Sequence, residues 1–171
     1  MPALYAAVFP ILDVTWLADF RRQHDPLASF IAPHVTLVFP TDGLSAESFR
    51  GAIQIAASKT RSFQALFRSA LLMPEETSTR IFLVPDEGFS HIVKLHDQLY
   101  AGELASLLRL DIPFVPHITV GSHLDLKTAK KLVDGLNAAS FEVHAAIDHI
   151  QIVAIEGPDQ PRQLFDRFPL I

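Results

Sequence analysis

The chain contains no cysteine, which excludes a disulfide framework, a thiolate metal site and a cysteine nucleophile. Basic residues are also few: 14 Lys and Arg stand against 19 Asp and Glu, for a formal charge of −5. A protein that grips long nucleic acid over a wide phosphate-binding surface needs the opposite balance, although a short or terminal nucleotide stays compatible. No uncharged apolar run approaches the roughly 18 residues that a membrane span requires, so a soluble, cytoplasmic protein is expected. The apolar stretch from Ala3 to Leu12 lacks a basic leader, contains Pro10 and soon meets Asp13, and so reads as a strand and not as a secretion signal.

What is present describes an ordinary globular chain. Apolar residues make up 49% and charged residues 19% of 171 positions, enough for one substantial core and a single compact unit, expected to be a monomer. Leu4 to Phe9 has the pattern of a buried strand, and Trp16 to His24 has helical spacing with Trp16, Leu17 and Phe20 on one side. Asp25-Pro26 ends that helix. Ser45, with Glu47 in the first turn, opens a second helix whose Phe49, Ala52, Ile53 and Ala56 form an apolar stripe ending near Lys59. Phe63 to Leu72 and Arg80 to Val84 read as a hairpin. Pro85 to Gly88 is the expected midpoint, followed by a helix over Ser90 to Leu108, an extended connection over Asp111 to Pro116, and a helix with Lys127, Lys130 and Lys131 on its wet face. Phe141 to Glu156 alternates as a long strand or strand pair, and Leu164 to Phe168 is a last strand after a turn over Gly157 to Pro161. The order of elements begins again after the midpoint, so pseudo-repeats of about 1–84 and 85–171 are expected.

Within this frame one pattern is written twice. Pro33-His34-Val35-Thr36-Leu37 returns as Pro116-His117-Ile118-Thr119-Val120, with only aliphatic exchanges. The alternation of polar and aliphatic residues is that of a strand, so His34 and Thr36 share one face, as do His117 and Thr119. Two such strands facing each other across a cleft offer two imidazoles and, about 7 Å along each face, two hydroxyls. Histidine titrates near neutrality, so one ring can accept a proton while the other donates one, with no metal required. The threonine hydroxyls are suited to the non-bridging oxygens of a phosphate between the rings. A phosphodiester suits this arrangement better than a monoester, because a second ester oxygen must leave.

The duplicated His-x-Thr-x motif resembles that of the 2H phosphoesterase superfamily, and Arg22 to Phe39, running into Pro-His-Val-Thr-Leu-Val-Phe-Pro, resembles its 2′-5′ RNA ligase-like (LigT-like) branch. The resemblance implies an α+β, bilobal fold of two pseudo-symmetric lobes of antiparallel sheet, with helices outside and a central cleft. It implies a cyclic phosphodiesterase or 2′-5′ phosphodiester chemistry on RNA ends or small nucleotides. His34 and His117 match the catalytic positions and Thr36 and Thr119 the phosphate-binding ones, with no cofactor. One departure is visible: the second motif continues Gly121-Ser122-His123, where many relatives carry an arginine soon after it.

Other candidates are weaker. His123, six residues past His117, returns to the cleft face by parity and is a rim candidate unless Gly121 bends the strand. Phe9 and Phe39 are candidates for a base-stacking surface, against a default of core packing. His91 and His96 lie five apart, off a common helix face, and read as solvated. His144 and His149 are also five apart and fall on opposite strand faces, against joint metal ligation. Arg68 and Arg80 are alternatives for a cation near substrate. Competing readings of the whole are an RNA-end or nucleotide-binding module with little turnover, and a 2′-5′ RNA ligase.

Overall fold

The computed structural model describes residues 2–157 and 163–171. Fifteen elements follow in order, of which nine are strands and four are α-helices. The strands are β1 (Ala3–Val8), β2 (Ile11–Leu12), β3 (Val35–Thr41), β4 (Phe63–Pro74), β5 (Thr79–Glu87), β6 (Ile118–Leu124), β7 (Val143–Ile147), β8 (His149–Ile155) and β9 (Gln163–Pro169). The helices are α1 (Trp16–His24), α2 (Ala46–Ala57), α3 (Phe89–Leu99) and α4 (Leu126–Ala138). Two short 3-10 helices cover Pro26–Ser29 and Ala105–Leu107.

The strands form two antiparallel sheets, ordered β3-β1-β8-β9 and β2-β7-β4-β5-β6. The two orders match as β3 with β6, β1 with β5, β8 with β4 and β9 with β7, a pseudo-twofold relation between the lobes. Neither sheet is built from a continuous stretch of chain. β4 leaves the first half to pair with β5, and β8 leaves the second half to pair with β1. Helices cross in the same way: α1 packs on β6 and α3 on β3, while α2 lies on β8 and β9 and α4 on β4 and β5. One core cluster takes Val8, Leu37 and Ile152 from the first sheet and Phe67, Ile81 and Ile118 from the second. Each such side chain contributes about 1.5–3 kcal/mol by leaving water, so the two sheets share one core.

Local chemistry explains the ends of elements. Ser45 Oγ accepts from the Ser48 amide and Asp125 Oδ1 from the Thr128 amide, capping α2 and α4. β3 continues to Thr41 through Pro40; it is a sheet edge, and a missing N–H there costs no ladder bond. β5 likewise continues through Pro85 to Glu87. β6 runs on through Gly121 to Leu124. A Cβ at that glycine would lie 3.2 Å from Ile81 Cδ1 and 3.1 Å from Leu124 Cδ1, so glycine serves close packing there. α3 ends at Leu99, short of the expected Leu108, and the chain leaves it through Gly102 at φ +94. Phe141 to Glu156 resolves into β7 and β8, which part at Asp148 and enter different sheets. The expected turn over Gly157 to Pro161 lies, past Gly157, outside the described residues. Among those residues no helix is long and apolar enough to cross a membrane.

Candidate active site

Each motif histidine follows a proline, and that proline holds the residue before it extended. The carbonyl two positions back is thereby turned towards the ring. His34 Nδ1 donates to Ala32 O at 2.9 Å, and His117 Nδ1 donates to Val115 O at 2.6 Å. A carbonyl only accepts, so Nδ1 carries the hydrogen in both rings and Nε2 is the acceptor of the neutral form. The two motifs thus repeat a tautomer as well as a sequence.

Aromatic neighbours fix the ring planes. His34 stacks on Phe9 with centroids 5.3 Å apart and leans on Tyr5 at 5.9 Å. His117 lies flat on Phe82, at 3.5 Å and 15°. Phe82 is paired in register with Thr119, across β5 and β6. His34, Thr36, His117 and Thr119 all line one cleft of about 600 Å³, with Phe39, Phe82, Phe114, Arg21, Asp25, Arg80, Glu75, Ser122 and His123 among its other walls. The four motif side chains are half-buried.

Enclosure by these walls penalises a protonated ring, and both imidazoles are pushed down to about 4 from the ordinary 6.5. The carbonyl acceptors oppose the shift without cancelling it. Positive charge adds to it: Arg21 and His117 act on His34, and Arg80 acts on His117.

A buried ion pair supports this floor. Arg21 donates from Nε and Nη2 to Asp25 Oδ2 at 3.1 and 2.8 Å, and from Nη1 to Ile31 O at 2.9 Å. Asp25 Oδ1 accepts from Leu27 N and from Ser122 Oγ, at 3.2 and 2.9 Å. Ser122 belongs to β6, so this cluster ties α1 to the second motif strand.

Residues 9–159 match the model of the 2′-5′ RNA ligase superfamily. The chain belongs to that superfamily, the 2H phosphoesterases. Similar proteins include a candidate phosphoesterase of Oceanobacillus iheyensis, 26% identical over 86% of each chain. Among solved structures, this 2H protein is similar to one from Thermus thermophilus (TM-score 0.65, 19% identity, 98% of this chain and 97% of that one). It is also similar to Escherichia coli LigT complexed with 3′-AMP (TM-score 0.60, 18% identity, 99% and 98%). Usb1 of Kluyveromyces marxianus shares the fold at 10% identity, with a TM-score of 0.58 over 99% and 98%. The α+β, two-lobed architecture that the resemblance implied is that of these neighbours.

The remaining candidates fall at different places in this 2H protein. His123 lines the cleft, is exposed, and takes a left-handed φ of 57. Phe39 lines the cleft, whereas Phe9 supports the back of His34. Arg80 is a cleft residue, while Arg68 is bound by Asp86, Glu87 and Glu142 at the other end of the hairpin. His96 is buried and not solvated: its Nδ1 donates to Leu37 O at 2.7 Å and its ring lies on Phe114 at 3.7 Å and 5°. His91 is exposed, against Phe63. Sequence reading missed Tyr5, Arg21, Asp25, Phe82 and Ser122. The one signal available was the turn pair Asp25-Pro26, which marks a helix end and nothing more.

Proposed function

We propose that this protein is a phosphodiesterase that opens 2′,3′-cyclic phosphates or 2′-5′ linkages at RNA ends or on small nucleotides, by histidine acid–base catalysis without a metal. The observation that supports it most directly is the pair of imidazoles in one cleft, each with Nδ1 committed to a backbone carbonyl and Nε2 left for chemistry. In the reaction, water attacks phosphorus while one Nε2 takes its proton. The bond from phosphorus to one ribose oxygen breaks, and the other imidazolium gives that oxygen a proton. A phosphomonoester and a free hydroxyl result, and returning one proton between the rings restores the site. Thr36 and Thr119 donate to the non-bridging oxygens, where charge builds up.

Hydrolysis of a 2′,3′-cyclic nucleotide in the presence of a chelator is the expected activity. His34→Ala and His117→Ala each lower kcat by about 10²–10⁴-fold with an unchanged circular dichroism spectrum. Activity that requires an added divalent metal, or that survives both substitutions, contradicts the scheme.

A binding module is the second reading, and it is favoured by the two depressed imidazoles, which leave the free protein without a proton donor at pH 7. An anionic phosphate entering between the rings favours the imidazolium and raises one of them, which reconciles the low values with turnover. Tight binding of a cyclic nucleotide with no product after long incubation identifies the module instead.

A further inference from the structure

Among the described residues two arginines line the cleft, and they are held in different ways. Arg21 is 4% exposed and spends its fork on Asp25 and the Ile31 carbonyl, so it is part of the wall. The Arg80 side chain is 45% exposed, and among the described residues its ionic partner is Glu75, with Nε 3.0 Å from Oε1. That carboxylate is itself anchored in the β4–β5 turn, where Glu75 Oε2 accepts from Ser78 Oγ at 3.1 Å.

The register of β5 and β6 locates this pair relative to the chemistry. Phe82 faces Thr119 and carries the His117 ring. Arg80 lies on the same face of β5, two residues or about 7 Å further on. Across the ladder it falls between the pairs Thr79–Leu124 and Ile81–Gly121, opposite Ser122 and His123. A path from His117 past Thr119 therefore meets Arg80 next, with His123 beside it at the exposed rim. Glu75 sits in the β4–β5 turn, beyond Arg80 along the hairpin from Phe82, and pairs with the guanidinium there. A nucleotide chain whose scissile phosphate sits between the imidazoles can bring its neighbouring phosphate towards this position. The planar fork of arginine matches a phosphate in two hydrogen bonds.

We propose that Arg80 binds a second phosphate of the substrate, adjacent to the scissile one, and that Glu75 holds the guanidinium in place until that phosphate displaces it. This rests on the phosphodiesterase reading above and deepens it: the favoured substrate is an oligonucleotide end and not a lone cyclic nucleotide.

Two probes separate the possibilities: a 2′,3′-cyclic mononucleotide, with one phosphate, and a dinucleotide ending in a 2′,3′-cyclic phosphate, with two. Arg80→Ala lowers kcat/KM for the dinucleotide at least tenfold more than for the mononucleotide, mainly through KM, and Arg80→Lys restores part of the loss. Glu75→Gln lowers KM for the dinucleotide, because a competitor for the guanidinium has lost its charge. Equal losses on both substrates, no loss on either, or a KM raised by Glu75→Gln overturn the proposal. Should neither probe be turned over, the phosphodiesterase reading fails, and calorimetric titration with the ring-opened mono- and dinucleotide 3′-phosphates still tests Arg80. A loss of affinity confined to the dinucleotide then supports the subsite, and equal affinities for wild type and Arg80→Ala overturn it.

Discussion

The two motif imidazoles contribute to the response of this protein to acid, beside His96, which burial also pushes down. Each motif ring titrates near 6.5 in the unfolded chain and at about 4 in the folded one. Between those values the unfolded chain binds more protons, so stability rises with pH across the window and falls as pH is lowered through it. Melting temperature is expected to drop from pH 6.5 to pH 4, and the drop is smaller in His34→Gln and His117→Gln. A melting temperature flat across this range, or equally steep in the variants, contradicts the depressed values. The lowered carboxylates Asp86, Asp111, Asp125 and Asp148 add their own loss towards the acid end of the window, which is why the histidine variants are compared with wild type. Activity carries the same signature. The descending limb of kcat/KM reports the free protein and that of kcat the complex, so the kcat limb is expected at higher pH, displaced by the bound phosphate. Coincident limbs mean that the phosphate does not raise the acid's pKa. The histidine and threonine positions themselves were readable because repetition of a short polar pattern on a strand is rare by chance. The carbonyl acceptors were implicit in the prolines, but the ring partners Phe9 and Phe82 were not, since with 13 phenylalanines in the chain core packing is the default for each.

At the level of elements, both motif strands end their sheets, and each free edge is covered by a helix from the other half of the chain. On the β3 edge, His96 Nδ1 donates to Leu37 O, and the Tyr100 hydroxyl accepts from Phe39 N at 3.1 Å. Two side chains four residues apart stand in for a missing strand. His96 also stacks on Phe114, shortly before the second motif, so one buried ring braces both motifs. His96→Phe keeps the stacking and leaves Leu37 O without its donor, which is expected to cost about 1–3 kcal/mol by urea denaturation and to lower kcat more than it raises KM. A variant as stable and as active as wild type shows that the bond does not position β3. The helical spacing of α3 was plain in the sequence, but its inner face was assigned from aliphatic residues alone. A histidine whose ring is satisfied by a carbonyl 59 positions away carries no local mark and reads as solvated.

Over the whole molecule, the exchange of β4 and β8 between chain halves makes each lobe depend on both halves for its sheet. Strand and helix positions followed from period and turn chemistry, because those act within a few residues, whereas the fold class came from the resemblance carried by the two motifs. The exchange did not follow from local pattern, because the choice of partner strand rests on contacts far apart in sequence. The Arg21–Asp25–Ser122 cluster is another such link: Ser122 and Asp25 are 97 positions apart, and neither residue type announces a partner. Its geometry makes a quantitative expectation possible. Asp25→Ala leaves the Arg21 guanidinium buried without its counter-ion and is expected to cost about 3–5 kcal/mol, whereas Ser122→Ala removes one hydrogen bond from a carboxylate that keeps two other partners and costs about 1 kcal/mol. In the double variant the effects are non-additive by at least about 0.5 kcal/mol, because the serine bond cannot be lost twice. Urea denaturation of the four proteins measures this directly, and strict additivity means that Ser122 does not transmit support from Asp25 to β6. Asp25 also offsets part of the Arg21 charge felt at His34, so Asp25→Asn is expected to lower the His34 pKa further, read by imidazole NMR titration. An unmoved or raised pKa shows that the pair acts on stability alone and leaves the proton affinity of the site to the cleft walls.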